Sequence, residues 1–109
     1  MIDEIKKDNF KTDIVYSLDE KDIGRVTIED TSDTINIIDV YVEENYRRKG
    51  VATKILEFLF DKYKVRFMLE VREDNTPAIK LYEKFGFVVI HKREKYYKDA
   101  DALIMEAKN

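Results

Sequence analysis

Three short apolar segments separated by polar turns occupy the first part of the chain, and this pattern predicts β-strands. The segments lie at 12–18, 23–28 and 34–42, and the third is dense in β-branched residues. Because the connections between them are only a few residues long, we expect an antiparallel meander. The polar residues before them, 1–10, are compatible with a short helix, a frayed arm or the start of a strand.

The alternation of the third segment changes phase partway along it. Ile35 and Ile37 share one phase, whereas Ile38, Val40 and Val42 share the other. One extra residue in the strand, a β-bulge, would bring both sets to one face of the sheet, and bulges are frequent beside active sites. A strand buried on both faces explains the same pattern. The sequence leaves both interpretations open.

The rest of the chain predicts two helices among three more strands. Apolar residues at three- and four-residue spacing begin after Gly50 and predict an amphipathic helix. Alternation over 65–72 predicts a strand. Thr76 is a suitable N-cap and Pro77 a suitable first residue for a second helix, Asn75 could also cap it through its side chain, and Gly86 is suited to end it. The last two strands are expected at 87–97 and 102–107. The predicted fold class is α+β, and the crossover helix should make the strands on either side of it parallel.

Length and composition limit the functions that are compatible with this chain. We expect its 109 residues to form a single domain, 1–109. There is no cysteine, which excludes a disulfide scaffold, a thiolate metal site and a cysteine nucleophile. Although 39% of the residues are charged, the net charge is −3, which argues against a nucleic-acid partner. No segment has the pattern of a signal peptide or a membrane span, so we expect a cytoplasmic protein without a membrane partner.

A basic turn precedes the first predicted helix. Arg47, Arg48 and Lys49 stand directly before Gly50. A helix that opens here has free N–H groups and the positive end of its dipole at its first turn, as in phosphate and pyrophosphate sites. A solvated basic turn with one glycine is also common. The stretch lacks the second glycine of a P-loop and the three glycines of a dinucleotide fingerprint.

The sequence of this turn, Arg-x-x-Gly-x-Ala at 47–52, resembles the pyrophosphate loop of the GCN5-related N-acetyltransferase (GNAT) superfamily, whose members bind acetyl-CoA. A second stretch is similar to the later half of a GNAT domain, with Leu-Glu-Val at 69–71 and Leu-Tyr-x-x-x-Gly-Phe at 81–87. The resemblance covers about 22–108 and implies a GNAT-like mixed sheet, acetyl-CoA as co-substrate and no metal. The coenzyme-binding residues that it implies are Val40, Tyr41, Val42, Arg47, Arg48, Lys49, Gly50, Val51, Ala52, Thr53 and Asn75.

Glu70 and Tyr82 are the candidate catalytic residues under this resemblance. A carboxylate in mid-strand is disfavoured unless its face of the sheet is wet or functional, and Glu70 alone is most simply a solvent-facing partner of a cation. The matching position carries the general base in the family branch most like this chain. Tyr82 would ordinarily pack against the core with its hydroxyl at the surface. GNAT enzymes commonly use a tyrosine at this helix position to protonate the departing thiolate of coenzyme A.

Within the superfamily, Leu-Glu-Val-Arg at 69–72, Tyr96-Tyr97 and 101–105 look like the RimI-type enzymes, which acetylate the N-terminal alanine of a ribosomal protein. The usual first strand and two helices, which wall the acceptor side in those enzymes, are missing here or reduced to 1–10. We therefore expect either an N-acetyltransferase acting on a primary amine, of a protein N-terminus or a small molecule, or a non-catalytic acyl-CoA-binding module. A core opened in this way should expose an apolar edge, which predicts a homodimer. The single histidine, His91, is assigned no role.

Overall fold

A computed structural model, which describes residues 1–109, contains one mixed sheet and two α-helices. The strands and helices, with one 3-10 turn at Glu44–Tyr46, are β1 (Ile2–Lys6), β2 (Lys11–Leu18), β3 (Lys21–Asp30), β4 (Thr34–Val42), α1 (Val51–Lys62), β5 (Arg66–Arg72), α2 (Thr76–Lys84), β6 (Val88–Tyr97) and β7 (Ala100–Lys108). The strand order is β1-β2-β3-β4-β5-β7-β6, and only β4 and β5 are parallel. The predicted α+β class, the meander and the parallel crossover are confirmed. Neither α-helix is long and apolar enough to cross a membrane.

The residues before the meander form an edge strand. Residues 2–6 pair with β2 over five positions, so pairing rather than apolar content makes this polar segment a strand. Residues 7–10 form the turn that follows, in which the Asp8 carboxylate accepts hydrogen bonds from the N–H groups of Phe10 and Lys11, both at 2.8 Å. No helix lies between β1 and β2. The prediction that the first strand and two helices are missing or reduced is therefore confirmed, with the strand present in a short form.

Both helices pack on one face of the sheet, and their apolar side chains form a single core with it. Val51, Ile55, Leu56 and Leu59 of α1 are buried there, as the helical spacing predicts. The aromatic ring of Phe60 stacks on that of Phe67 in β5, with ring centroids 4.3 Å apart. The other face of the sheet, here called the open face, carries polar and charged side chains from different strands and one turn that pair with one another. These pairs are Asp13 with Thr27 and Lys7, Arg25 with Asp39, Asn36 with Glu29, Arg66 with Glu106, and Glu70 with Arg93.

The open face is largely charged, yet the edge beside the missing helices also exposes apolar residues, as expected: Ile5 is 48% and Phe10 61% exposed. The β1 edge carries Asp3, Glu4 and Lys6 within five residues. Asp13, the one buried charged residue, accepts a hydrogen bond of 2.7 Å from the Thr27 hydroxyl and pairs with Lys7 at 3.3 Å. Because these side chains satisfy one another, the sheet does not need a covering layer on this side. Further exposed apolar residues lie at the opposite edge, on β6, at Val88, Val89 and Ile90. The homodimer stays a prediction.

The phase change in β4 is a β-bulge. Thr27 pairs with Asp39 and Ile28 with Ile37, which leaves Ile38 as an extra residue opposite β3. Val40 and Val42 thereby return to the core face, on which Ile35 and Ile37 are buried. The side chain of Ile38 does not lie on the core face, because it is 51% exposed. Asn36, two residues earlier, also points away from the core. The bulge interpretation therefore holds, and the strand buried on both faces does not.

The start of α1 packs so closely on β3 that Gly24 has no room for a side chain. A Cβ atom added at Gly24 would lie 2.5 Å from the Cγ1 atom of Val51. We expect Gly24→Ala to lower the free energy of unfolding by about 1–3 kcal/mol, as overpacking does elsewhere. In a Val51→Ala background the same substitution should cost much less, because the clashing methyl group is gone. Urea unfolding of the four proteins measures this coupling, and an equal loss in both backgrounds would contradict it.

Candidate active site

The sheet opens between β4 and β5. The two strands pair only from Thr34 with Arg66 to Ile37 with Leu69, and the pairing stops where Ile38 bulges. Beyond that point β4 is still held by β3 and β5 by β7, so both strands continue while the space between them widens. A cavity of about 190 Å³ occupies this gap. The residues of the predicted site that line it are Val40, Glu70, Asn75 and Tyr82.

Tyr82 reaches the gap from the core face. It lies on α2, only 7% exposed, with its ring edge-on to that of Phe87 at a centroid distance of 5.7 Å. Burial, and to a smaller extent the negative charge of Asp39, raises the pKa of the Tyr82 phenol above its ordinary value. The hydroxyl is thus kept in its protonated form, which is the form that can donate a proton.

Glu70 lies at the same gap but on the open face. The β5 side chains alternate as predicted: Phe67, Leu69 and Val71 are buried in the core, whereas Glu70 is exposed. The Glu70 carboxylate pairs with the Arg93 guanidinium of β6 at 3.3 Å. Both residues also line a second cavity, of about 360 Å³, which lies against the open face. Arg93 was not predicted from sequence, because β6 is separated from β5 by β7 in a strand order that local patterns do not indicate.

The basic turn and the first turn of α1 have the backbone of an anion site. Gly50 is the N-cap of α1, with a φ angle of +79° and no side-chain cap. The first bond of the helix runs from the Lys54 N–H to the Gly50 carbonyl at 3.0 Å, so the N–H groups of the first helical turn have no partner within the helix. Arg47 Nε donates to the Val42 carbonyl at 3.0 Å and fixes the turn to the end of β4.

A third cavity, of about 360 Å³, lies between this turn and α2. Its walls include most of the predicted pyrophosphate loop: Val42, Arg47, Arg48, Gly50, Val51, Ala52 and Thr53. Tyr41 and Lys49 line none of the three cavities; Tyr41 contacts Arg25 and Lys49 lies over the ring of Tyr46. The opposite wall carries two residues that sequence reasoning missed, Lys80 and Lys84. Their only sequence signal is a four-residue spacing that places them on one side of α2.

Asn75 starts α2. Its side-chain oxygen accepts a hydrogen bond from the Ala78 N–H at 3.3 Å, so Asn75 is the N-cap, and Thr76, predicted as the cap, is the first helical residue. Pro77 is correspondingly the second helical residue. The Asn75 N–H also donates to the Arg72 carbonyl at 3.0 Å, which anchors the cap to the end of β5. No three His, Cys, Asp or Glu side chains are grouped so that they could hold a metal ion.

Comparison with known proteins relates this geometry to one family. The family model described as "Acetyltransferase (GNAT) family" matches residues 2–87. An N-alpha-acetyltransferase of Saccharolobus solfataricus is 41% identical over 76 residues, which are 64% of this chain and 46% of that protein. The ribosomal protein bS18 alanine N-acetyltransferase of Salmonella typhimurium is 36% identical over 81 residues, 67% of this chain and 55% of that protein. The chain thus spans about half the length of these curated relatives.

A solved structure gives the same result for the fold. The ribosomal-protein-S18-alanine N-acetyltransferase of Escherichia coli superposes with a TM-score of 0.86 at 30% sequence identity. The superposition covers 92% of this chain and 70% of that one. The predicted similarity to the ribosomal-protein alanine N-acetyltransferases is confirmed.

The raised pKa of Tyr82 can be measured directly. The tyrosinate absorbance of the native protein minus that of Tyr82→Phe should titrate above about pH 10, the value of an unperturbed phenol. In denaturant the same difference should titrate at about pH 10. Because the folded-state value is the higher one, the stability due to Tyr82 is present below about pH 10 and is lost as the pH rises through the folded-state pKa. Equal midpoints in the native and denatured proteins would contradict the burial of the phenol.

Proposed function

The chain belongs to the GNAT family of acetyltransferases, and from this we propose that it transfers the acetyl group of acetyl-CoA directly to a primary amine. The observation that carries the proposal is the gap between β4 and β5, with Glu70 on the open face and Tyr82 on the core face of the same cavity. Such a gap lets a thioester held against the core face meet an amine that arrives from the open face. Since the chain has no cysteine, an acyl-enzyme on a thiol cannot form. We therefore propose direct transfer, in which the protein holds the amine and the thioester together.

Coenzyme binding rests on the cavity between the basic turn and α2. The first turn of α1 offers unpaired N–H groups, and Arg47 and Arg48 add positive charge beside them. Together they suit the pyrophosphate of the coenzyme. From there the pantetheine arm would follow Val40, Tyr41 and Val42, whose edge toward β5 has lost its strand partner. A backbone N–H on this edge is suited to polarise the thioester carbonyl, as in an oxyanion hole.

Glu70 is proposed as the general base. A protein N-terminal amine has a pKa of about 8 and a lysine-type amine about 10.4, so both are largely protonated at neutral pH. The Glu70 carboxylate, directly or through a water molecule, would take the proton that the attacking nitrogen must lose. Arg93 shares the carboxylate at 3.3 Å, so this proton acceptor is held by one partner rather than left mobile.

Tyr82 is proposed as the general acid. The sulfur of coenzyme A leaves with a basicity close to that of cysteine, about 8.5. The buried phenol has a raised pKa and stays protonated over the pH range in which the attacking amine becomes neutral. The acid therefore stays protonated where the amine becomes a nucleophile, on the side of the gap opposite Glu70.

The acceptor is proposed to be a primary amine of a protein N-terminus or of a small molecule. Relatives named as N-alpha-acetyltransferase and ribosomal protein alanine N-acetyltransferase support the first of these.

One observation favours a second candidate function, an acyl-CoA-binding module without catalysis. Where relatives of the family carry two helices along the acceptor side, this chain has the turn 7–10, so its open face is unwalled there.

Two measurements on the purified protein test the proposal and separate it from this rival. Calorimetry should detect acetyl-CoA binding, and no binding at millimolar coenzyme would remove both candidates. Release of free thiol, followed with a chromogenic disulfide, should accompany acetylation of at least one amine among peptides, polyamines and aminoglycosides. Binding without turnover on any of them would leave the non-catalytic module as the function.

Variants of the two catalytic candidates should lose turnover without losing coenzyme. Glu70→Gln and Tyr82→Phe should each lower the saturated rate by about 10²–10⁴-fold, the usual worth of general acid–base catalysis. The Glu70→Gln loss should shrink as the pH rises, because more of the amine is then already neutral. The Tyr82→Phe loss should also ease, since an unprotonated thiolate is a less costly leaving group at high pH. Near-wild-type turnover of Glu70→Gln would make that residue an ordinary ion-pair partner of Arg93.

A further inference from the structure

The α2 wall of the cavity beside the basic turn carries two cations that have no partner in the chain. Lys80 and Lys84 face Arg47 and Arg48 across this cavity of about 360 Å³. Neither lysine forms an ion pair with a carboxylate. None of the residues lining the cavity is acidic, although the whole chain has a net charge of −3. Unpaired positive charge is thus concentrated around this cavity in an acidic protein.

The position of the two lysines on α2 favours an anionic ligand over a structural role. Residues four apart on a helix are neighbours, and like charges at this spacing repel each other. Both side chains are exposed, so they contribute little to the core. Pro77 and Leu81, from the same side of α2, complete the wall. An anion between α2 and the loop would relieve the repulsion and would meet positive charge from both sides.

We propose that Lys80 and Lys84 bind the 3′-phosphate of coenzyme A and thereby make the protein select acetyl-CoA over its 3′-dephospho form. This inference rests on the proposed function. The coenzyme has two separate anionic groups, a diphosphate and a phosphate monoester on the neighbouring ribose, and the cavity has two separate sets of donors. The loop and the first turn of α1 present closely spaced backbone N–H groups, which suit the diphosphate. The lysines on the facing wall are flexible point charges, which suit an exposed, nearly dianionic monoester.

The discriminating experiment compares the binding of acetyl-CoA and 3′-dephospho-acetyl-CoA by calorimetry. The wild type should bind acetyl-CoA about tenfold or more tightly, since charge-assisted contacts to the monoester are lost with the dephospho form. In the Lys80→Gln/Lys84→Gln protein this preference should fall to less than about threefold, with little change in affinity for the dephospho form. Arg48→Ala should weaken both forms by a similar factor and keep the preference. Added salt should reduce the preference of the wild type, because the lysines are solvent-exposed.

A matched control removes two lysines far from this cavity. Lys6 and Lys11 lie on β1 and β2, and Lys6 borders the hollow at the C-terminal end of α1. This end is about 18 Å from the first turn of the helix. Lys6→Gln/Lys11→Gln makes the same change in net charge and should retain the wild-type preference. Equal binding of the two forms by the wild type, or an unchanged preference after loss of Lys80 and Lys84, would overturn this inference and leave the proposed function standing. Binding of neither form by the wild type would overturn it together with the proposed function.

Discussion

The early end of the pairing between β4 and β5 is the constraint on which the candidate site depends. Parallel strands ordinarily stay paired along their length, because an unpaired backbone group away from water is costly. Here the pairing ends at Ile37, where the extra residue Ile38 changes the course of β4. Each strand keeps its outer partner: β3 follows β4 to Val42, and β7 pairs with β5 as far as Arg72. The gap therefore opens within a sheet that is held on both sides, and its unpaired edge is available to a ligand.

Charge is arranged differently on the two sides of this gap. On the open face the charged groups are paired across strands, as in Arg25 with Asp39 and Arg66 with Glu106. Exposed pairs of this kind contribute little stability each, so their main effect is to let the face remain in water. Around the third cavity the cations have no carboxylate partners. Ion pairs thus let the open face remain in water, whereas the unpaired cations around the third cavity are suited to bind an anion.

Local patterns in the sequence predicted the elements of the fold, because alternation, helical spacing and the glycines at 50 and 86 act over a few residues. The same patterns located Glu70, Asn75, Tyr82 and the basic turn, where the resemblance to a family also applied. These patterns did not decide which of two adjacent residues caps the second helix or forms the bulge. Asn75 caps α2 in place of Thr76 because its N–H is fixed to the end of β5. Ile38 is the bulged residue because Ile37 keeps its partner in β3.

The residues that sequence reasoning missed are those brought to the site by distant parts of the fold. Arg93 meets Glu70 only because β7 inserts between β5 and β6, and Lys80 shares a cavity with the basic turn only because α2 lies on the same face of the sheet as α1. Strand β1 is likewise made by five pairs with β2, although its own residues are polar. The edge where helices are absent exposes Ile5 and Phe10, as expected, but charged residues surround them, and a sheet face left in water satisfies its polar groups with one another.

The open face also limits where acceptor specificity can arise. No helix covers the open face of β1 and β2, so on this face the surroundings of Glu70 are the residues of the second cavity, among them Glu29, Asn36, Arg93 and Ile104. The two carboxylates there attract a cationic amine, and Arg93 neutralises part of that charge by pairing with Glu70. Under the proposed function, an acceptor reaching this short stretch of β3 to β7 meets few side chains beyond those around its amine.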